Sequence, residues 1–338
     1  MPANLSPEYK AAEAAFRATR DPRTRLDCLR EMLRTIPKHK GTEHLQADIK
    51  ARIKDLGEQL EGGGHKAGGH GHGPTLVIRP EGAAQVVLLG PPNAGKSALH
   101  LRLTGSHAQV APYPFTTQFP QAGMLPFEDI QFQLVDLPPV APEHPVPWLG
   151  TTLQAADAAL LVVDVREPSV VEQVDVLRSM LAQQRVTLLG QGEQGASDDP
   201  FAIALPTLML ANKAEGLADP QAELQALCEI EGEVAGIRFP AIAVSAETGL
   251  GLGQIAPWLF ERLGVVRVYT KVPGHAAERS RPFTLRRGQT VADVARLVHR
   301  DLVRTLRYAR LWGHSGFDGQ QVGPEHEVAD GDVVELHT

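Results

Sequence analysis

Apolar and polar positions divide the chain into three stretches with different periods. Residues 7–60 repeat apolar side chains at helical spacing: Leu26, Leu29, Met32 and Leu33, then Leu45, Ile49, Ile53, Leu56 and Leu60. Pro22 breaks or restarts the first helix, and Pro37 and Gly41 mark a turn. This pattern predicts two helices packed as an antiparallel hairpin. From Gln85 onward, apolar runs at 85–89, 130–135, 158–164, 206–211 and 240–244 alternate with helical patterns at 96–104, 149–156, 169–184, 221–230 and 252–263. Nearly continuous apolar runs suit a parallel sheet buried on both faces. The stretch 188–204 reads as an inserted surface loop. Beyond it, 266–338 shows short strands, one helix from about Val291 to Thr305 and closing turns, the pattern of a small α+β domain.

Between the helical and alternating stretches lies a run rich in glycine and histidine, Gly62 to Gly73. It reads as a flexible linker. His65, His70 and His72 could bind a transition metal weakly, but nothing fixes a geometry. The expected division is therefore 1–61 helical, 62–82 linker, 83–264 α/β domain and 265–338 C-terminal domain.

Composition narrows the class. The 338 residues are 43% hydrophobic and 22% charged, values of a soluble globular protein. No apolar run is long enough to span a membrane, and the N-terminus has no signal-peptide core. Cys28 and Cys228 are too few for a disulfide framework, so a cytoplasmic location is expected. The net charge of −7 is uneven. Residues 61–265 carry 10 Lys+Arg against 22 Asp+Glu, whereas 1–60 carry 12 against 9 and 266–338 carry 11 against 9. The basic ends permit nucleic-acid contact, or are ordinary solvated surface.

The candidate chemistry centres on Gly90-Pro91-Pro92-Asn93-Ala94-Gly95-Lys96-Ser97-Ala98. It contains G-x-x-x-x-G-K-[ST] between a strand and a helix, the context a phosphate-binding loop requires. The glycines let backbone N–H groups turn inward around a phosphate, with the positive end of the helix behind them. Lys96 would reach the β- and γ-phosphates, and the Ser97 hydroxyl would hold Mg²⁺.

Four further stretches follow in the order expected of a GTPase. Phe115-Thr116-Thr117 lies in the loop after the first helix, where Thr117, or else Thr116, would meet Mg²⁺ and the γ-phosphate. Asp136 ends an apolar run, the place for an aspartate that holds Mg²⁺. Asn212-Lys213-Ala214-Glu215 ends another. There the Glu215 carboxylate would accept from guanine and Lys213 would lie along the base. Ser245-Ala246-Glu247 ends a third, with backbone aimed at guanine O6. Ligands of open α/β sheets bind at such strand ends. Each stretch alone is common by chance; their order is not.

With these residues in place, the chain resembles the Obg-related GTPases, most closely the developmentally regulated GTP-binding (DRG) family. Pro37-Lys38-His39-Lys40-Gly41-Thr42-Glu43 through Ile49 is similar to that family's N-terminal hairpin. Tyr113-Pro114-Phe115-Thr116-Thr117 is similar to its switch I, and Val266-Arg267-Val268-Tyr269-Thr270-Lys271 opens a segment like its TGS domain. The resemblance implies a P-loop NTPase fold: a Ras-like G domain with a mainly parallel sheet, an N-terminal helical hairpin and a C-terminal β-grasp TGS domain. It also implies Mg²⁺-dependent GTP and GDP binding, slow hydrolysis, and contact with the ribosome or RNA through the TGS domain and hairpin.

Three departures from the family pattern matter. Pro139 stands where the family has the glycine of Asp-Leu-Pro-Gly, and proline has no N–H to offer a γ-phosphate. Glu215 replaces the usual aspartate. No glutamine follows Asp136 to orient water; some relatives use K⁺ for charge stabilisation, and Asn93 either helps ligate K⁺ or stabilises the loop. These leave two alternatives to a slow GTPase: a nucleotide-binding ribosome or RNA adaptor with little hydrolysis, or an ATPase. The arginines of the C-terminal domain, Arg286, Arg287, Arg296, Arg300, Arg304, Arg307 and Arg310, offer RNA contact; Arg296, Arg300, Arg304 and Arg307 recur on one face of the expected helix, which is an RNA-facing or only a solvated face.

Overall fold

The first apolar stretch builds three helices. The computed structural model describes residues 5–19, 22–37, 39–61, 78–105, 120–140, 146, 149–193, 195, 199–234, 236–299 and 301–338. The chain divides into two compact units, one comprising Met1–Arg79 with Ala196–Ala202, the other Pro80–Gly195 with Ile203–Thr338.

In the first unit, α1 (Pro7–Ala18), α2 (Pro22–Thr35) and α3 (Glu43–Glu61) replace the expected two-helix hairpin. Pro22 occupies the first position of α2, where its missing N–H is no loss, so it starts a helix rather than bending one. Ser6 caps α1 by accepting from the Tyr9 N–H. Tyr9, Phe16, Leu29, Met32 and Ile49 are buried together with Phe201, whose ring meets Phe16 edge-on with centroids 5.9 Å apart. The inserted stretch is therefore more than surface loop, since it gives an anchoring ring to this helical core.

The second unit holds two sheets. The first contains β1 (Gln85–Leu89), β2 (Gln121–Phe127), β3 (Ile130–Asp136), β4 (Ala158–Asp164), β5 (Val186–Leu189), β6 (Ile203–Asn212) and β7 (Ala241–Ala243). Its order is β2-β3-β1-β4-β6-β5, with β7 also on β6. All pairings are parallel except β2 with β3. The connecting helices are α4 (Lys96–Thr104), α5 (Leu149–Leu153), α6 (Val170–Gln183), α7 (Pro220–Val234) and α8 (Ile255–Arg262).

Val86, Leu88, Leu160, Val162, Leu208 and Leu210 pack with Leu99 of α4 and Leu259 of α8. The alternate residues Val87, Leu89, Leu161 and Val163 point the other way and are as deeply buried. Both faces are closed, as the continuous apolar runs require.

Two strands escape the sequence pattern. β2 is an edge strand carrying Gly123 and Pro126, with Leu125 its one buried residue, so it shows little hydrophobic signal. β5 has four residues and lies at the opposite edge.

The second sheet contains β8 (Val265–Thr270), β9 (Glu278–Arg286), β10 (Tyr308–Trp312), β11 (Gln320–Val322) and β12 (Asp332–His337), ordered β11-β10-β12-β8-β9. One face packs on α9 (Val291–Val298) through Val266, Val268, Val291, Val294, Leu311 and Val334. The expected single helix over 291–305 is broken. α9 ends at Val298, and α10 (Leu302–Thr305) is separate. Arg296 and Arg304 are thus on different helices, Arg307 lies beyond both, and Arg300 is outside the described residues. The uniform arginine stripe does not form.

Candidate functional site

Four strand ends meet at one edge of the parallel sheet. β1, β3, β6 and β7 run in the same direction, so the segments after them emerge together. The loop after β1 makes a tight arch. Gly90 has φ +151°, and a Cβ there would stand 2.1 Å from the Val162 carbonyl oxygen. Gly95 has φ +91°, and a Cβ would strike the Asn212 side-chain nitrogen at 2.3 Å. Both glycines are demanded by backbone conformation and by close approach. Ala94 is buried within the arch, and Pro92, Asn93, Ser97 and Ala98 are exposed along it.

Lys96, the first residue of α4, folds back into the arch and is 6% exposed. Its Nζ donates to the carbonyls of Gly90 at 3.0 Å and Pro91 at 2.8 Å. Burial pushes its pKa down to about 8, against the attraction of Asp136. A buried ammonium held only by carbonyls is arranged to receive an anion.

Ser97 Oγ donates to Asp136 Oδ2 at 2.6 Å. Asp136 is 1% exposed, and burial raises its pKa although Ser97, His100 and Lys96 oppose the shift. Its Oδ1 is buried with no hydrogen-bond partner. A hydroxyl and an orphaned carboxylate oxygen side by side form a hard-oxygen donor set that fits Mg²⁺. The third expected ligand, Thr117, lies outside the described residues.

Asn212 ends β6 and is buried. Its Nδ2 donates to the Ala94 carbonyl at 2.9 Å, and its Oδ1 accepts from the Ala246 N–H at 3.2 Å. Asn212 therefore staples the phosphate-loop arch to the segment after β7. Ser245 is buried there, accepting from the Thr248 N–H, and it hydrogen-bonds the exposed Glu215 carboxyl, holding it below its ordinary pKa. Glu247 is exposed.

The family described as 50S ribosome-binding GTPase matches residues 85–190, and the TGS domain matches residues 266–338. The chain joins a GTP-binding G domain to a C-terminal TGS domain. A developmentally-regulated G-protein 1 of Arabidopsis thaliana is 29% identical over 90% of this chain and 88% of its own. An uncharacterised GTP-binding protein of Methanocaldococcus jannaschii is 27% identical over 91% and 90%. A solved YchF GTPase of Schizosaccharomyces pombe has a TM-score of 0.49 at 13% identity, covering 77% of this chain and 99% of that one.

Within the G domain, the structure adds residues that the motifs did not mark. Asp164, at the end of β4, accepts from Lys213 Nζ at 2.6 Å. Burial works to raise the Asp164 pKa, and the Lys213 bond with the Arg166 N–H outweighs it, so the carboxyl lies below its ordinary value. Asp164 fixes where Lys213 reaches. The available signal was a strand-ending carboxylate next to the Asn-Lys strand. His100 is buried one turn along from Ser97, its Nε2 3.3 Å from the Leu134 carbonyl oxygen, which braces α4 against β3.

The TGS domain grips the turn between β2 and β3. Arg267 bonds Asp129 at 3.0 Å, Asp330 at 2.7 Å and also Glu128, with its guanidinium over the Phe260 ring of α8. The Tyr269 hydroxyl donates to Asp129. β3 thus runs from a clamp on the TGS domain to the Asp136 carboxylate.

Proposed function

We propose that the protein is a cytoplasmic, Mg²⁺-dependent GTPase of low turnover, acting in ribosome- or RNA-associated translation. The observation that carries the reading is the convergence of buried Lys96, the Ser97–Asp136 pair and the Asn212 staple at one sheet edge. Lys96 would exchange its two carbonyl contacts for phosphate oxygens and follow the charge that develops on the transferring group. The arch amides after Gly90 would hold the remaining oxygens. Ser97 and Asp136, with Thr117 as the expected third ligand, would hold Mg²⁺, which neutralises phosphate charge when bound. Lys213, Glu215 and the Ala246 backbone would select guanine over adenine, which disfavours an ATPase. The ribosome or RNA association is supported by the TGS domain and by what the matched G-domain family is called.

Pro139 favours a second reading, a nucleotide-dependent adaptor with little hydrolysis. It is half-buried just beyond Asp136 and has no N–H for a γ-phosphate. Nucleotide titration and single-turnover hydrolysis in Mg²⁺, with K⁺ or Na⁺, separate the two. A GTPase turns over GTP in a Lys96-dependent way, and Lys96→Ala weakens GTP binding about 10- to 100-fold, as expected for losing a charged phosphate contact. Tight binding without turnover establishes the adaptor. Equal turnover in Na⁺ and K⁺ removes a K⁺ role for Asn93, and absence of guanine-nucleotide binding ends both readings.

A further inference from the structure

The second sheet has a face that α9 does not cover. Along β8, β10 and β12 the residues buried toward α9 are Val266, Val268, Ala309, Leu311 and Val334. The alternating positions stand on the opposite face: there Arg267 and Tyr269 of β8 are held by Asp129 of the G domain, and β10 and β12 contribute Tyr308, Arg310, Trp312, Glu335 and His337. Arg310 is exposed, and Tyr308 and Trp312 are half-buried.

The rings on this face are fixed and alternate with cations. Tyr308 and His337 stack with centroids 4.5 Å apart and planes 10° from parallel. Lys271 Nζ lies 3.9 Å from the centroid of the Trp312 ring. Between these pairs Glu335 is contacted from both sides, by the Lys271 ammonium at 3.2 Å and by His337 Nε2 at 2.7 Å. Beside Trp312 a hollow of about 580 Å³ is bordered by Lys271, Arg279, His275 and His314, with Asp318 as its one acidic lining residue. The turn from β10 to β11 holds Phe317 84% exposed.

We propose that the part of this face carried by β10 and β12 binds single-stranded RNA. Flat rings accept unpaired bases of any sequence, and interleaved cations follow the phosphates. A duplex keeps its bases stacked inside and would leave the rings unused. An acidic peptide would use the cations and leave Phe317 and the Tyr308–His337 stack without a role. The proposal rests on the reading that this domain meets RNA, and it moves the contact away from the α9–α10 arginines. Of these, Arg296 is already paired with Asp293 at 2.6 Å.

The test is fluorescence anisotropy of the full chain with a labelled 12-nucleotide single-stranded RNA at two salt concentrations, beside titration of a fluorescent GTP analogue. Trp312→Ala and Phe317→Ala should each weaken RNA binding about tenfold. Arg310→Glu should weaken it at low salt and reduce the salt dependence by about one contact. Trp312→Phe should retain binding, which excludes misfolding as the cause of loss. A double Arg296→Glu, Arg304→Glu variant should bind RNA normally, and GTP-analogue binding should be unchanged throughout. Equal loss in the double variant, equal affinity for a duplex, or displacement by polyglutamate at matched charge concentration would each overturn the proposal. A wild-type chain that binds the GTP analogue but not the RNA ends this inference alone. A chain that binds RNA but no guanine nucleotide ends the GTPase reading alone.

Discussion

Two sheets in one compact unit place their candidate sites differently, and the reason is how each is covered. The G-domain sheet is almost wholly parallel, with helices needed to return the chain between strands. Those helices close both faces, so Val87 and Leu88 are equally buried and no face remains for a ligand. Chemistry is left to the strand ends, where Lys96, Asp136, Asn212 and Ser245 gather. The TGS sheet is mostly antiparallel, and its α9 covers one side. The other side is held by the G domain at Arg267 and Tyr269 of β8 and carries Tyr308, Arg310 and Trp312 on β10. Closed layers leave an edge site that orients a small charged ligand; a layer covered on one side and only partly on the other leaves room for a platform.

The largest expected effect tests the closed layer. Leu88→Ala, fully buried between β1 neighbours, should cost about 2–5 kcal/mol in denaturant unfolding. A cost below 1 kcal/mol would mean that the sheet is not packed as tightly as its burial indicates.

The two sheets also treat a buried carboxyl differently. Glu335, on the TGS face opposite α9, has His337 and Lys271 as partners, and they hold its pKa down against burial. Glu231, on α7, is 1% exposed, and neither carboxylate oxygen has a hydrogen bond. Burial pushes its pKa up to about 7, with only the more distant Arg178 charge opposing. Because the folded pKa exceeds the unfolded one, the folded chain binds the proton more tightly. Stability is fully present below the unfolded pKa and is lost as pH rises through about 7. Thermal melts of the wild type should lose on the order of 2 kcal/mol between pH 5 and 8. Glu231→Gln should flatten that segment of the profile, and an unchanged profile would show that the carboxyl is hydrated or paired in solution.

The joint between the sheets should give the smallest of the three effects. Arg267→Ala leaves Asp129 and Asp330 without their shared cation and removes a stack on Phe260. A cost of about 1–3 kcal/mol is expected. In calorimetry, the TGS transition should move apart from that of the G domain. A single unshifted transition would show that the clamp contributes little to holding the sheets together.

Much of the G domain was legible because its signals are local. A glycine at φ +151°, a lysine on the first turn of a helix and continuous apolar runs each leave a mark within a few residues. β2 was not legible, since an edge strand with Gly123 and Pro126 buries little and needs no apolar pattern. The break between α9 and α10 was hidden because Arg296 and Arg304 keep helical spacing across it.

The sequence by itself determined the phosphate loop and the order of strand-end motifs, which depend on short-range spacing; the TGS-like nature of the C-terminal segment came from its resemblance to the DRG family. Tertiary structure alone decided that Asn212 uses both its polar atoms on the protein, that Asp164 anchors Lys213, and that Phe201 returns to the helical core. It also decided that Trp312, Lys271 and the Tyr308–His337 pair share the face opposite α9. Those facts depend on which strands become neighbours, and hydrogen-bond pairing between residues as far apart as 94 and 212 leaves no periodic trace in the chain.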